Sequence, residues 1–269
     1  MTQRRTITGF SNPTVKYLRS LREKKHRKAA GQFLAEGLRL LTDARESGKL
    51  PEMLVMATGR DHHPLLAALE ADVIAAGGEV LEMDEDILAK VTGKDNPQAV
   101  AGVFAEFETS LAALDRSSAK IWLVAQALRD PGNLGTMLRT GDAVGAGGLI
   151  LLDESTDPYA VETVRASMGA IFTQALVQAR WDEFLPWLRQ EPGQLVATWL
   201  GDDTQDYQAV RYTAPTFILT GNESQGLPAA YAAAADRRVK MPMMGKADSL
   251  NAAVATAVMA YEVLNQRRR

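Results

Sequence analysis

Three short stretches in the second half of the chain carry residue types that chemistry needs. In ALRDPGNLGTMLRTGDAVG a strand, IWLVAQ, runs into a glycine-bearing turn that opens a helix, with Asn133, Gly135 and Arg139 along it. Such a turn presents main-chain N–H groups to a phosphate or a cofactor. Its spacing, Gly132-Asn133-Leu134-Gly135, is not the G-x-G-x-x-G of a dinucleotide fold. In PTFILTGNESQGLP a buried strand ends in Gly221-Asn222-Glu223, and Gly226 and Pro228 turn the chain into an alanine-rich helix. Glycine lets backbone approach a ligand closely, and a carboxylate at the C-terminal end of a strand lies where open α/β sheets bind ligands. In VKMPMMGKADSLNAAVATAVMAYEVL a strand passes through Gly245 into Ser249-Leu250-Asn251 and then a long helix. Taken singly, each has a plainer reading: Asn133 as a helix cap, Arg139 as a solvated side chain, Glu223 as a helix-capping acid and Ser249 as an N-cap.

Taken together and in this order, the three loops resemble the three signature motifs of the SpoU/TrmH RNA 2′-O-ribose methyltransferases. The matching residues are Asn133, Gly135 and Arg139, then Gly221-Asn222-Glu223 with Gly226-Leu227, then Met241-Pro242-Met243, Gly245 and Ser249-Leu250-Asn251. The intervening DPYAVETVRASMGAIF is also similar to the family, at Asp157, Pro158, Arg165, Ala166, Ser167, Met168 and Gly169. The resemblance covers almost all of residues 120–269. It implies a parallel sheet whose C-terminal part is threaded into a trefoil knot, an exception to the rule against threading. It implies S-adenosylmethionine held by Leu219, Thr220, Gly221, Gly226, Met241, Met243, Gly245 and Leu250, chiefly through backbone. It also implies that Arg139 acts on the acceptor ribose while Asn133, Glu223, Ser249 and Asn251 hold it in register. A guanidinium stays protonated below about pH 12, so orienting the RNA is the safer role for Arg139 than acting as a base. Ala252-Ala253 after Asn251 departs from the commoner family pattern, which touches packing rather than chemistry.

The elements that must position these loops are strands IWLVAQ, GLILLD, TQALVQA, QLVATWL, PTFILTG and RRVKMPM, with helical segments between most of them. That alternation predicts a largely parallel sheet covered on both faces. Upstream, QFLAEG, EMLVMAT, EVLEMD and AVAGVFAEF read as strands of a smaller α/β unit, with HPLLAALEADVIAA a helix ended by Gly77-Gly78. Phe33, Glu36 and Gly37 in this half resemble the family's accessory RNA-binding domain. The expected organisation is an accessory domain over 1–107, a linker over 108–119 (ETSLAALDRSSA, without apolar period) and a methyltransferase domain over 120–269.

Charge is uneven. The whole chain carries a net charge of −3 over 269 residues, which argues against indiscriminate coating of nucleic acid. Yet residues 1–30 hold Arg4, Arg5, Lys16, Arg19, Arg22, Lys24, Lys25, Arg27 and Lys28 against one acid, Glu23. Asn12-Pro13 reads as an N-cap with proline at the first helical position, and Val15, Leu18 and Leu21 as the apolar stripe of a basic helix. The expected RNA contacts are Lys16, Arg19, Arg22, Lys24, Lys25, Arg27 and Lys28, with Arg165; a solvated helix face and a frayed terminus is the alternative.

The absence of cysteine excludes disulfides and thiolate zinc, and three histidines leave little for a metal cluster. No signal-peptide core or bilayer-length apolar run is present, so a cytoplasmic protein without a membrane partner is expected. From Leu250 to Leu264 the last helix is apolar nearly all round, which implies a homodimer. The accessory domain leans the substrate towards ribosomal RNA, with transfer RNA the alternative. Two rivals stand beside this reading. Asp153 at the end of GLILLD would suit a conventional Rossmann enzyme binding a ribose, and a non-catalytic RNA-binding or ribosome-assembly protein would share the accessory domain.

Overall fold

The first helix begins where the side chain of Asn12 accepts a hydrogen bond from the Thr14 N–H at 2.9 Å, with Pro13 at the first helical position. The computed structural model describes residues 4–60, 63–107 and 110–268. It divides into two units: residues 1–107 with 157–173, and residues 108–156 with 174–269.

The first unit runs β1 (Arg4–Ile7), α1 (Pro13–Ser20), α2 (Lys24–Ala30), β2 (Gln32–Glu36), α3 (Leu38–Glu46), β3 (Met53–Ala57), α4 (Pro64–Ala75), β4 (Glu79–Met83), α5 (Glu85–Thr92) and β5 (Val100–Ala105). Its sheet has the order β1-β4-β3-β5-β2, parallel from β1 to β3 and antiparallel on both sides of β5. Val15, Leu18 and Leu21 are fully buried, as their spacing predicts. The terminus is not frayed from Arg4 onward. It forms an edge strand, with Arg4 3.3 Å from Glu82 and Arg5 3.0 Å from Glu79, so these two cations are spent on the neighbouring strand.

The second unit runs β6 (Ile121–Gln126), α6 (Pro131–Val144) and β7 (Gly148–Leu152). The chain then contributes α7 (Val161–Ala166) to the first unit. It returns through β8 (Ala175–Ala179), α8 (Trp181–Arg189), β9 (Gln194–Thr198), β10 (Gln205–Asp206), β11 (Thr216–Thr220), α9 (Ala229–Ala234), β12 (Arg237–Lys240) and α10 (Ala252–Arg268). The order is β10-β12-β9-β11-β6-β7-β8 and every pair is parallel. Strands β6, β7 and β11 are buried throughout, as a sheet covered on both faces requires. The chain walks outward from β6 on one side and returns on the other, so β6 and β11 flank the topological switch point, where open α/β sheets bind ligands.

Two expectations are corrected. Residues 157–173 are not part of the second unit, because their aromatic side chains belong to the first unit's core. Tyr159 and Phe172 cluster with Phe33, Phe104 and Phe107, with centroids 4.8 Å apart for both Phe33–Tyr159 and Phe104–Phe172. Nor are residues 110–119 a free linker. Leu111, Leu114 and Ala119 pack on the second unit's core, and Arg116 is 6% exposed. Its guanidinium donates to the carbonyls of Trp187, Leu188, Glu191 and Pro192 and lies 4.9 Å from the Trp187 ring centroid. Glu108 and Thr109, also assigned to the linker, lie outside the described residues. Among the described residues no helix is long and apolar enough to cross a membrane.

Candidate active site

The three motif loops meet beyond the C-terminal ends of β6 and β11. Asp130, not Asn133, caps α6: its carboxylate accepts the Asn133 N–H at 2.6 Å. The Asn133 side chain is thereby free for tertiary contacts. Its amide Nδ2 donates to Glu223 Oε1 at 3.0 Å, and its Oδ1 accepts from Asn251 Nδ2 at 2.9 Å. Glu223 also accepts the main-chain N–H groups of Arg129 and Asp130, both at 3.2 Å. One side chain from each motif thus closes a single relay, Glu223–Asn133–Asn251. Partial burial pushes the Glu223 carboxyl up, but hydrogen bonds from the Asn133 amide and from the N–H groups of Glu223, Arg129 and Asp130 outweigh it. The net pKa lies below the ordinary carboxylate value.

Asn222, which the sequence reading left out of the site, shapes this loop. Its Nδ2 donates to the Ala127 carbonyl at 2.6 Å, tying β11 to the end of β6, while its Oδ1 accepts the N–H groups of Ser224 and Gln225. An Asx turn was readable from Asn222 followed by Ser224. The loop closes so tightly on Gly221 that a Cβ there would lie 2.4 Å from the backbone of Gly226 and Leu227. At the third motif Asn251, not Ser249, caps the helix, accepting the N–H groups of Ala253 at 2.9 Å and Val254 at 3.2 Å. Ser249 donates to Asp248 instead.

Beside the relay is a cavity of about 550 Å³, within the usual range for small-molecule sites. Thr220, Gly221, Gly226, Met241, Met243 and Leu250 line it, together with Glu223 and Ser249. Two expected cofactor residues do not line it. Leu219 is fully buried in the core cluster packed on one face of the sheet, and Gly245 borders an adjoining cavity with Met243 and Met244. Arg139 does not reach the cavity either. It is an exposed side chain on α6, with no hydrogen bond or ion pair among the described residues. Asp153, the rival ribose ligand, is already engaged: it accepts the Trp181 N–H at 3.1 Å and the Tyr231 hydroxyl at 2.9 Å.

Of the expected RNA contacts, Arg27 is corrected. It is 2% exposed, donating to Asp157 at 2.6 Å and to the Leu21 carbonyl at 2.7 Å, so it ties α2 to the 157–173 segment and offers nothing to solvent. Lys16, Arg19, Arg22, Lys24, Lys25, Lys28 and Arg165 are exposed.

An open, wholly parallel α/β sheet with a small-molecule cavity past the ends of β9, β11 and β12, and no dinucleotide glycine turn, defines a ligand-binding α/β domain outside the Rossmann pattern. The SpoU rRNA Methylase family matches residues 120–261, and the MRM3-like substrate binding domain matches residues 12–102. The chain is 31% identical to the 23S rRNA guanosine 2′-O-methyltransferase RlmP of Bacillus subtilis, covering 96% of this chain and 98% of that protein. It is 39% identical to an AdoMet-bound rRNA methyltransferase from Sinorhizobium meliloti, with a TM-score of 0.91 over 99% of this chain and 98% of that one. The SpoU methyltransferase AviRb from Streptomyces viridochromogenes, solved with AdoMet, is 29% identical with a TM-score of 0.86 over 96% of this chain and 98% of that one. The chain belongs to the SpoU family of RNA 2′-O-methyltransferases, and its cofactor is S-adenosylmethionine. The cavity fits that cofactor: beside apolar Leu227, Val239 and Leu250 it has a few polar groups, and the ionised Glu223 at its edge favours a cationic ligand.

Proposed function

We propose that this protein methylates a ribose 2′-hydroxyl of ribosomal RNA, with the first unit docking the RNA and the second unit holding cofactor and acceptor. What carries the proposal is the Glu223–Asn133–Asn251 relay, which joins all three motif loops at the rim of one cavity. A relay of this kind fixes loop geometry before substrate arrives, which is where positioning catalysis gains its rate. The preference for ribosomal over transfer RNA is supported by relatives that match along nearly the whole chain and are named for ribosomal RNA.

Bound S-adenosylmethionine supplies a methyl group on a positively charged sulfur, already activated for in-line displacement. This chain's residues have the harder task of readying a ribose hydroxyl, a poor nucleophile at neutral pH. Main chain at Gly221, Met241 and Leu250 holds the cofactor. Asn133, Glu223 and Asn251 keep the loops in register, and Ser249 faces the same cavity. Arg139, a cation with no intramolecular partner among the described residues, is free to meet the acceptor's phosphate or hydroxyl and stabilise charge there. The reading also includes the trefoil knot, a homodimer and a cytoplasmic location.

The test is transfer of labelled methyl to deproteinised ribosomal RNA, beside a cofactor titration. Arg139→Ala should lower turnover by about two to three orders of magnitude with cofactor affinity nearly intact. Arg139→Lys should rescue little, because an ammonium lacks the planar fork. Near wild-type turnover in Arg139→Ala would return this residue to a solvated helix face.

A further inference from the structure

The basic residues of the first unit do not form one uniform surface. A cavity of about 690 Å³ is lined by Lys16 and Arg19 of α1, Arg22 in the following turn, Lys94 after α5 and Arg165 of α7, against two carboxylates, Glu23 and Glu162. A second cavity of about 260 Å³ shares Lys94 and Arg165 and adds Arg39 at the start of α3, against the carboxylates Glu36, which Lys94 pairs, and Asp43. Lys94 is paired with Glu36, whereas Lys16, Arg19, Arg22, Arg39 and Arg165 have no carboxylate partner among the described residues. Elsewhere in this unit Arg45 pairs with Asp72 and Arg60 with Glu85, while exposed Lys24, Lys25, Lys28 and Lys90 have no ion pair among the described residues but line neither cavity. A run of unpaired cations along two adjoining cavities makes a locally positive surface that favours an anionic ligand.

One of these cations is seated by a glycine. Gly93 ends α5 in the left-handed region at φ 72°, and a Cβ on it would lie 2.1 Å from the Arg22 guanidinium carbon. The guanidinium therefore rests on bare backbone, in space that any other residue would fill. A guanidinium so placed lies flat on the backbone and offers its planar fork to phosphate oxygens.

We propose that these two cavities form a track for consecutive backbone phosphates of the RNA, with Arg165 and Lys94 at their junction and Gly93 as the positioning residue that seats Arg22. The proposal rests on the reading of the first unit as the RNA-docking unit and narrows it. Affinity is concentrated in the track rather than spread over α2, so Lys24, Lys25 and Lys28 matter less.

The test is binding of the full-length protein to labelled, deproteinised ribosomal RNA across a salt series, with methyl transfer measured on the same samples. Arg22→Gln and Arg165→Gln should each weaken binding severalfold and reduce the slope of log affinity against log salt by about one. The triple Lys24→Gln, Lys25→Gln, Lys28→Gln variant should weaken it less than either. Gly93→Ala is compared with Gly31→Ala, which ends α2 at φ 63° with open space around it and so carries similar backbone strain without touching Arg22. Gly93→Ala should bind RNA as weakly as Arg22→Gln, Gly31→Ala should match wild type, and Arg22→Gln should add no further loss in the Gly93→Ala background. Equal affinity for the two alanine variants, or a larger loss in the lysine triple, overturns the track. Methyl transfer and RNA binding by the wild type would meanwhile stand, and their absence would instead overturn the function proposed above.

Discussion

At the scale of single residues, Glu223 works because it is ionised. Its carboxylate takes one amide and two main-chain N–H groups from the turn that opens α6, and those bonds hold its pKa below the ordinary range. The sign follows from linkage. A carboxylate whose folded pKa is lowered contributes stability that is fully present above the unfolded value, about 4.3, and is lost as pH falls through the folded value. Glu223→Gln should therefore be less stable than wild type at neutral pH, by about 1 kcal/mol given its exposed position, as an amide nitrogen would face donors. The difference should vanish at an acid pH below the lowered pKa of the folded carboxyl, where both side chains are neutral. Urea titrations of both proteins at the two pH values check this, and a pH-independent difference would mean that charge is not what the turn recognises.

At the scale of elements, Asn251 does two separable things: it caps α10 and it donates to Asn133. Asn251→Ala loses both, and should lower the melting temperature by roughly 2–4 °C for a cap worth about 1 kcal/mol. Asn251→Asp keeps the cap but offers Asn133 no donor, so it should melt near wild type yet bind cofactor more weakly. Calorimetry beside a cofactor titration separates the two roles, and parallel losses in both variants would merge them. Much of this was legible in the sequence. The strand periods gave β6 to β9, β11 and β12, whereas Asn133, Glu223 and Asn251 came from the resemblance of the three loops, taken together, to the family's motifs. Local chemistry did not reveal which asparagine caps and which one bridges. Asp130 takes the capping role that residue type alone also allows Asn133, and Asn251 takes the one Ser249 would fit. The placement of residues 157–173 was hidden for a related reason, since Tyr159, Phe172 and Asp157 find their partners at Phe33, Phe104 and Arg27, far upstream in the chain. Arg27 looked like its lysine neighbours until Asp157 supplied that partner.

At the scale of the whole molecule, α10 leaves apolar surface uncovered. Its inner face, including Ala253, Thr256, Met259, Ala260 and Val263, is buried on β11, β6 and α6. Leu250 is 40% exposed, Val254 48% and Tyr261 47%, with half-buried Val258 between them. The spacing of Val254, Val258 and Tyr261 places them on one stripe of the helix, and Met244 in the preceding loop is 95% exposed. Three side chains cannot make a stable interface, which needs about 1,000 Å² in total, so the loop from Met241 to Gly245 must contribute if a second copy covers the stripe. A two-fold axis suits a helix face of this kind, because the same stripe then meets itself. Burying the exposed half of each large side chain is worth about 1 kcal/mol per copy, while a carboxylate placed there would have to be desolvated. The wild type should thus be a dimer by light scattering at micromolar concentration. Val254→Glu with Tyr261→Glu should be monomeric with an unchanged circular dichroism spectrum, since both positions face outward. Cofactor affinity should fall with dissociation, because Leu250 and Met243 border the cofactor cavity and the exposed surface at once. A monomeric wild type would remove the dimer, and a dimeric double variant would move the interface off α10.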